Sequence, residues 1–175
     1  MVGGKQMADR KKVVDGKQMV DINTIKIGHG LGELMFGAVR EECRQYLGDP
    51  DEEDIEIFDG EEYVHWYYDK WNMELCFEAS EHYRLGTIIL EHENAILGGE
   101  RIMGKSVQYI ENYLTKNSYS YAIEIEKMAD DEVVLIDLDD MECTFMFRDN
   151  VLEGVQWSYL WVDDDTPQWP ERRLQ

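Results

Sequence analysis

The sequence predicts an α+β fold: a tandem repeat of one helix plus a four-stranded antiparallel meander, with the helices packed on one face of the sheet. Three observations predict it. Gly32-Glu33, Gly37 and Tyr46-Leu47 return 67 residues later as Gly99-Glu100, Gly104 and Tyr113-Leu114, with Cys43 answered by Ile110. Met73-Glu74-Leu75-Cys76-Phe77 returns 68 residues later as Met141-Glu142-Cys143-Thr144-Phe145, and Gly86 as Gly154. Self-similarity at a fixed spacing controls the reading of a fold before any local motif does, and one residue of slippage is what a loop insertion produces. Finally, between these marks the hydrophobic period changes from helical to alternating, in the same order both times.

Residues 1–24 form a basic N-terminal arm or hairpin, because Asp15-Gly16 lies between Val13-Val14 and Lys17 to Val20 and both turn residues tolerate positive φ. The first unit, 25–98, opens with Gly28-His29-Gly30-Leu31-Gly32, read as a flexible lead-in. A helix from Gly37 to Leu47 follows, with Val39, Cys43, Tyr46 and Leu47 on one face. Gly48 accepts a left-handed cap and Pro50 cannot continue a helix, so the chain stops there. Strands are expected at Ile55–Phe58, Glu62–Tyr68, Asn72–Glu78 and Leu85–Glu91, punctuated by Asp59-Gly60 and Gly86. The second unit, 99–162, repeats the order with a helix from Lys105 to Thr115 and strands at Tyr119–Lys127, Glu132–Leu138, Met141–Phe147 and Gly154–Val162. Residues 163–175 are expected to be an irregular acidic tail. A sheet this short needs helices over one face to bury anything.

This plan, with Leu31-Gly32 and Gly37 ahead of the first helix and Leu47-Gly48-Asp49-Pro50 behind it, resembles the β-lactamase-inhibitor-protein-like fold over residues 25–162. The resemblance implies a protein-binding role through the helix-free face of the sheet. The secreted inhibitors carry disulfides and a signal peptide, and this sequence shows neither.

Composition narrows the function. The hydrophobic content is 43% and the aromatic content 11%, values of a folded chain, so the net charge of −21 is not a mark of disorder. The charge is segregated: residues 1–30 carry six Lys/Arg against three Asp, leaving a net of −24 on the remainder. Such a body repels nucleic acid and anionic membrane and attracts basic proteins. Cys43, Cys76 and Cys143 are odd in number, sit at patterned apolar positions and lack CxxC spacing, so they read as buried hydrophobes in a reducing compartment. No apolar segment resembling a secretory signal or a membrane span is present, and a cytoplasmic location is expected.

Gly99-Glu100-Arg101-Ile102-Met103-Gly104-Lys105-Ser106 fits the phosphate-binding pattern GxxxxGK[ST], with Val133 to Asp137 imitating a strand that ends in a magnesium ligand. Gly32 to Val39 has the same glycine frame with Ala38-Val39 in place of Lys105-Ser106, so the frame reads as structural. Bulky Ile102 and Met103, acidic Glu100 and the lack of βαβ crossovers argue the same way. His29, His65, His82 and His92 show no metal-ligand spacing, Asp49 to Asp54 lacks the calcium-loop glycine and terminal glutamate, and no serine sits in a GxSxG turn. No cofactor and no metal are expected.

The aromatic residues are more informative. Tyr63, Trp66, Tyr67, Tyr68 and Trp71 crowd one strand and its exit, and Trp157, Tyr159 and Trp161 alternate along the last. Side chains alternate across a strand, so Tyr63-His65-Tyr67 and Val64-Trp66-Tyr68 face opposite ways and only one set meets the helices. The expected partner-binding set is Tyr63, His65, Tyr67, Trp71, Glu74, Glu142, Tyr159, Trp161, Asp163 and Asp164: aromatic anchors ringed by acids, the composition of a hot spot for a basic protein. The function expected is a non-catalytic binding module, an inhibitor or immunity-type protein that neutralises a basic partner such as a nuclease toxin. Two alternatives stay open, a nucleic-acid mimic that binds a DNA-binding protein and a nucleotide-binding enzyme using Gly99 to Ser106.

Overall fold

The computed structural model describes residues 13–14, 17–128 and 131–172. In chain order its elements are β1 (Val13–Val14), β2 (Lys17–Gln18), β3 (Ile25–Lys26), β4 (Gly30–Leu31), β5 (Leu34–Met35), α1 (Arg40–Leu47), β6 (Glu52–Phe58), β7 (Glu61–Tyr68), β8 (Met73–Glu78), β9 (Arg84–Leu90), β10 (Ile96–Leu97), β11 (Glu100–Arg101), α2 (Val107–Lys116), β12 (Ala122–Met128), β13 (Asp131–Leu138), β14 (Cys143–Arg148), β15 (Val151–Ser158), β16 (Leu160–Asp163) and β17 (Thr166–Gln168).

The expected fold class is corrected by the sheet. The chain is predominantly β, and strands order as β12-β13-β14-β15-β9-β8-β7-β6 in one continuous eight-stranded antiparallel sheet rather than in tandem helix-plus-meander units. The junction is the pairing of Val155–Ser158 with Leu90–Thr87. The helices contribute only eight and ten residues. A short meander with one short helix cannot bury enough apolar surface alone. Joined edge to edge, both halves share a single core cluster that runs from Ile22 to Tyr159.

The spacing used to match the halves also slips within the sheet. A one-turn 3₁₀ segment, Asp69–Trp71, ends in left-handed Asn72, so β8 starts at Met73; Asp139–Met141 ends in left-handed Glu142, so β14 starts at Cys143. Phe77 lies opposite Leu85 beside a bulge, and the residue in that situation in the other half is Phe147, opposite Leu152, not Phe145. Each bulge consumes a residue and moves the register, which a fixed sequence offset cannot follow.

One face of the sheet builds the core. The cross-strand row Trp66, Leu75, Ile88, Trp157, Cys143 and Leu138 runs through six strands, and all six side chains are buried. The helices cover this face: α1 buries Cys43 and Leu47 there, with Arg44 4.6 Å over the Trp66 ring, and α2 buries Ile110 and Leu114. α1 ends where Gly48 and Pro50 require it, and the Tyr68 hydroxyl donates to Gly48 O at 3.0 Å. α2 starts at Ser106, whose Oγ accepts the Tyr109 N–H at 3.2 Å.

Gly28 to Gly32, expected to be a loose lead-in, belongs to a three-stranded β3-β4-β5 sheet against the core. Gly30 sits at φ +144° with its Cα so close to the next strand that a Cβ would lie 2.0 Å from Leu34 O, and its own carbonyl accepts the Trp157 Nε1–H at 3.0 Å. The tail is not irregular either. β16 and β17 form a hairpin, Trp169 packs on Tyr159, and Arg172 makes two bonds to the Glu42 carboxylate at 2.7 and 2.9 Å. Of the arm, β1 pairs with β2, while residues 1–12 and the turn residues 15–16 lie outside the described residues.

Candidate functional site

Among the described residues, the other face of the sheet carries no helix. Its central row crosses all eight strands, from Glu52 through Tyr67, Glu74, Ile89, Gln156, Thr144 and Asp137 to Ala122. Next to it lie Asp54, His65, Cys76, Thr87 and Ser158, and beyond those Glu56, Tyr63, Glu78 and Arg84. The outer four strands of one half therefore collect Tyr63, His65 and Tyr67 in a file, with carboxylates on both sides of it.

Strand alternation explains this placement. Val64, Trp66 and Tyr68 are buried under α1, so Tyr63, His65 and Tyr67 must point away and are half-buried among themselves. His65 is the centre. Its Nδ1–H donates to Glu74 Oε1 at 2.6 Å, its Nε2 lies 3.7 Å from Glu56 Oε2, and its ring stacks near Tyr67 with centroids 6.5 Å apart. The His65 and Glu74 side chains are only 16% and 23% exposed. Burial, and next the field of Glu78, raises the Tyr63 hydroxyl; burial and then Glu74 raise that of Tyr67. Glu78 is also held above the ordinary carboxylate range, by burial first and then by Glu81 and Glu61. Cys76, opposite His65 on the next strand, is pushed up to about 12 by burial, which disfavours the reactive thiolate. All three cysteines are buried free thiols.

Tyr67, Glu74 and Ile89 also line a shallow depression of about 260 Å³ with Tyr68, Asn72 and Glu91 at the strand ends. Farther along the same face Val133, Leu135 and Met146 form an apolar hollow of about 330 Å³ rimmed by Glu91, Glu126, Glu153 and Arg148.

The structure gathers Tyr63, His65, Tyr67 and Glu74 but scatters the rest of the expected set. Trp71 sits in the 3₁₀ turn, packed on Tyr68 at 5.7 Å with Lys70 Nζ 3.8 Å over its ring. Glu142 lies at the turn before β14, beside Asp137, Thr144 and Ser158, and burial raises its carboxyl. Tyr159 is buried between Trp161 and Trp169, with centroids at 5.0 and 4.4 Å. Its ring lies against Gly86 on the same side as the Glu78 carboxylate, and its hydroxyl is raised by burial and then by Glu78, Glu81 and Glu142. Trp161 is exposed, and Asp163 and Asp164 lie in the β16–β17 hairpin, where Thr166 and the Asp165 N–H hold the Asp163 carboxyl low. Glu142, Tyr159 and the β16–β17 hairpin lie toward the strand ends that carry Tyr63 and Glu78, whereas Trp71 lies at the opposite ends, beyond Tyr68 and Met73.

Sequence reasoning missed Glu52, Asp54, Glu56, Cys76 and Glu78. The alternation Glu74-x-Cys76-x-Glu78 is in the sequence, but the expected strand opens only at Ile55, and only the β6–β7 register sets Glu52 and Asp54 beside Tyr67 and His65.

The apparent phosphate loop is built otherwise. Glu100–Arg101 is a hairpin strand, and the amides a phosphate would need are taken: Ile102 N–H by Ala95 O, Gly104 N–H by Leu152 O and Lys105 N–H by Ile102 O. Ser106 caps α2, and Lys105 Nζ lies 4.9 Å over the Tyr109 ring. Among the described residues no group of three or more His, Cys, Asp or Glu could hold a metal ion, and no helix is long and apolar enough to cross a membrane.

No family model matches the chain, and no curated protein matches it. Among solved structures, it is similar to an extracellular protein containing a SCP domain from Bacillus anthracis str. Ames, at 13% identity and a TM-score of 0.46, over 91% of this chain and 50% of that one. The chain thus spans about half the length of that protein.

Proposed function

We propose that this chain is a non-catalytic protein-binding module that captures a basic protein on the helix-free face of its sheet, acting as an inhibitor or immunity-type protein in a reducing compartment such as the cytoplasm. The observation that carries the reading is the file Tyr63, His65, Tyr67 lying between Glu52, Asp54 and Glu56 on one side and Glu74 and Glu78 on the other. Rigid rings on sheet positions supply desolvated anchors, and the acids steer a positive partner and reject negative ones. The net charge of −21 extends that attraction over the whole surface.

Wild-type chain and a Tyr63→Ser/Tyr67→Ser variant, used as paired baits, test it. A basic protein held by the wild type alone, with association slowed by salt and by Glu74→Gln, is the expected result. Exposed charges are screened beyond about 8–10 Å at ordinary salt, so the acid substitutions should act on association and the ring substitutions on dissociation. Partners indifferent to both salt and rings would refute the reading.

One feature favours a second reading. Glu52, Asp54 and Glu56 stand in line on β6, at a spacing of roughly 6.6–6.8 Å set by the two-residue strand repeat, as a short row of phosphate substitutes would. A captured DNA-binding protein displaced by duplex DNA would select the nucleic-acid mimic.

A further inference from the structure

We infer that the free edge of β6 takes up a β-strand of the partner, an extended segment in which basic and aliphatic side chains alternate. This deepens the reading above and rests on its basic partner, but it concerns a different surface, the sheet edge instead of the sheet face.

β6 is the last strand of the sheet, and every one of its seven residues is exposed. The direction of its backbone follows from its neighbour. The Ala79 N–H donates to Glu62 O, so Glu62, Val64, Trp66 and Tyr68 turn their backbone groups to β8, and the alternate residues Tyr63, His65 and Tyr67 turn theirs to β6. Their partners Glu56, Asp54 and Glu52 are thereby tied inward, and Glu53, Ile55 and Ile57 face out along the edge. The Ile55 N–H is met by the Asp54 carboxylate, at 2.9 Å, a side chain of the same strand standing where a partner carbonyl would stand.

The side chains define what fits. On the helix side of the sheet Ile55 and Ile57 are 55% and 71% exposed, and Phe58 at the strand end is 67% exposed. On the other side Glu52, Asp54 and Glu56 form an unbroken acidic row. Edge strands are commonly blunted by lysine, proline or a bulge. β6 has none of these, and acids are its only guard. They guard against a second copy, since two such edges would bring carboxylate beside carboxylate. They do not guard against a basic strand, which would neutralise the row, draw Asp54 away from the Ile55 N–H and cover both isoleucines. The opposite edge, β12, also exposes Ile123 and Ile125 but carries Lys127 and lies far from the aromatic file. Strand addition of this kind draws affinity from main-chain bonds and specificity from alternate side chains.

The test uses the full chain and a fluorescent seven-residue peptide of alternating lysine and valine, blocked at both ends, followed by anisotropy. Three comparisons should each weaken binding at least about tenfold: N-methylation of alternate peptide amides in the edge-facing register, Ile57→Lys, and Ile55→Pro, whose lost N–H serves no bond to β7. Circular dichroism checks that each variant folds, and Ile57→Lys, on an exposed side chain, keeps the test open should the proline variant fail. A peptide of the same composition with its lysines in one block should bind more weakly; equal binding of the two, or indifference to N-methylation and Ile57→Lys, overturns the proposal. Tyr67→Ala, which removes a ring flanking Glu52 but leaves the edge backbone intact, should weaken peptide binding less than Ile57→Lys does. Loss of binding in Tyr67→Ala with none in Ile57→Lys would keep the sheet-face reading and sink the edge. A dimer in the centrifuge that Ile57→Lys dissolves would give the edge to a second copy and also overturn the proposal.

Discussion

Replacing Trp66 and Tyr67 by alanine, one at a time, separates the two faces of β7. Trp66 is fully buried, packed edge-on against Phe77 at 4.9 Å and covered by Arg44, with its indole N–H donated to Glu53. Truncating a buried tryptophan costs about 3–5 kcal/mol, a large part of the 5–15 kcal/mol that typically holds a domain together. With a urea dependence of roughly 2 kcal/mol per molar, the Trp66→Ala midpoint should fall by about 2 M. Tyr67 is half-buried and loosely stacked on His65, so its loss should cost about 1 kcal/mol, a midpoint shift of roughly 0.5 M. Against a bound basic partner the order reverses: Tyr67→Ala should speed dissociation about thirtyfold, the equivalent of about 2 kcal/mol. Urea unfolding followed by tryptophan fluorescence, beside surface-plasmon kinetics, reads both quantities. Equal destabilisation by the two substitutions, or a Trp66→Ala variant with a near-native midpoint, would refute the assignment of faces.

Glu78 gives a pH test: its native pKa lies above the ordinary value of 4.5, so the folded chain binds that proton more tightly than the unfolded one, and ionised Glu78 costs stability at pH 7. Glu78→Gln should therefore raise the melting temperature at pH 7, and the gain should vanish as pH falls through the native pKa to below 4.5; a gain independent of pH would assign it to another cause. Gly30→Ala should abolish folding or cost more than about 3 kcal/mol, whereas Gly60→Ala, at φ +83° with nothing within 4 Å, should cost only the left-handed strain of about 1–2 kcal/mol. Equal melting temperatures for these two variants would contradict the close approach at Gly30. Lys105→Ala, which removes an exposed ammonium from the Tyr109 ring, should change stability by less than about 1 kcal/mol, and calorimetry with ATP and magnesium should show no saturable heat; micromolar binding lost in the variant would restore the nucleotide reading.

Local chemistry was legible in the sequence because it depends on neighbours a few residues apart. Gly48 and Pro50 end α1 at Leu47 whatever surrounds them, Ser106 caps α2, and the alternation from Glu62 to Tyr68 puts Trp66 and Tyr67 on opposite faces in any sheet. The excess of acid over base, and hence the sign of any charged partner, is likewise a property of composition. What the chain does at a distance was not legible. The junction of Thr87–Leu90 with Val155–Ser158 brings together segments of similar apolar character for which no local signal selects the partner, and it alone turns short units into one predominantly β sheet with one core. The bulges at Cys76/Phe77 and Met146/Phe147 shift the register that sequence matching aligned at Phe77 and Phe145. Which ring of each adjacent pair faces solvent was decided by where α1 lies, and the acids of β6 became part of the site only when the hairpin register set Asp54 opposite His65 and Glu56 opposite Tyr63. Pairing register is a tertiary quantity: a slip of one residue exchanges the two faces of a strand, and only burial of the core face against the helices makes one register more stable than the next.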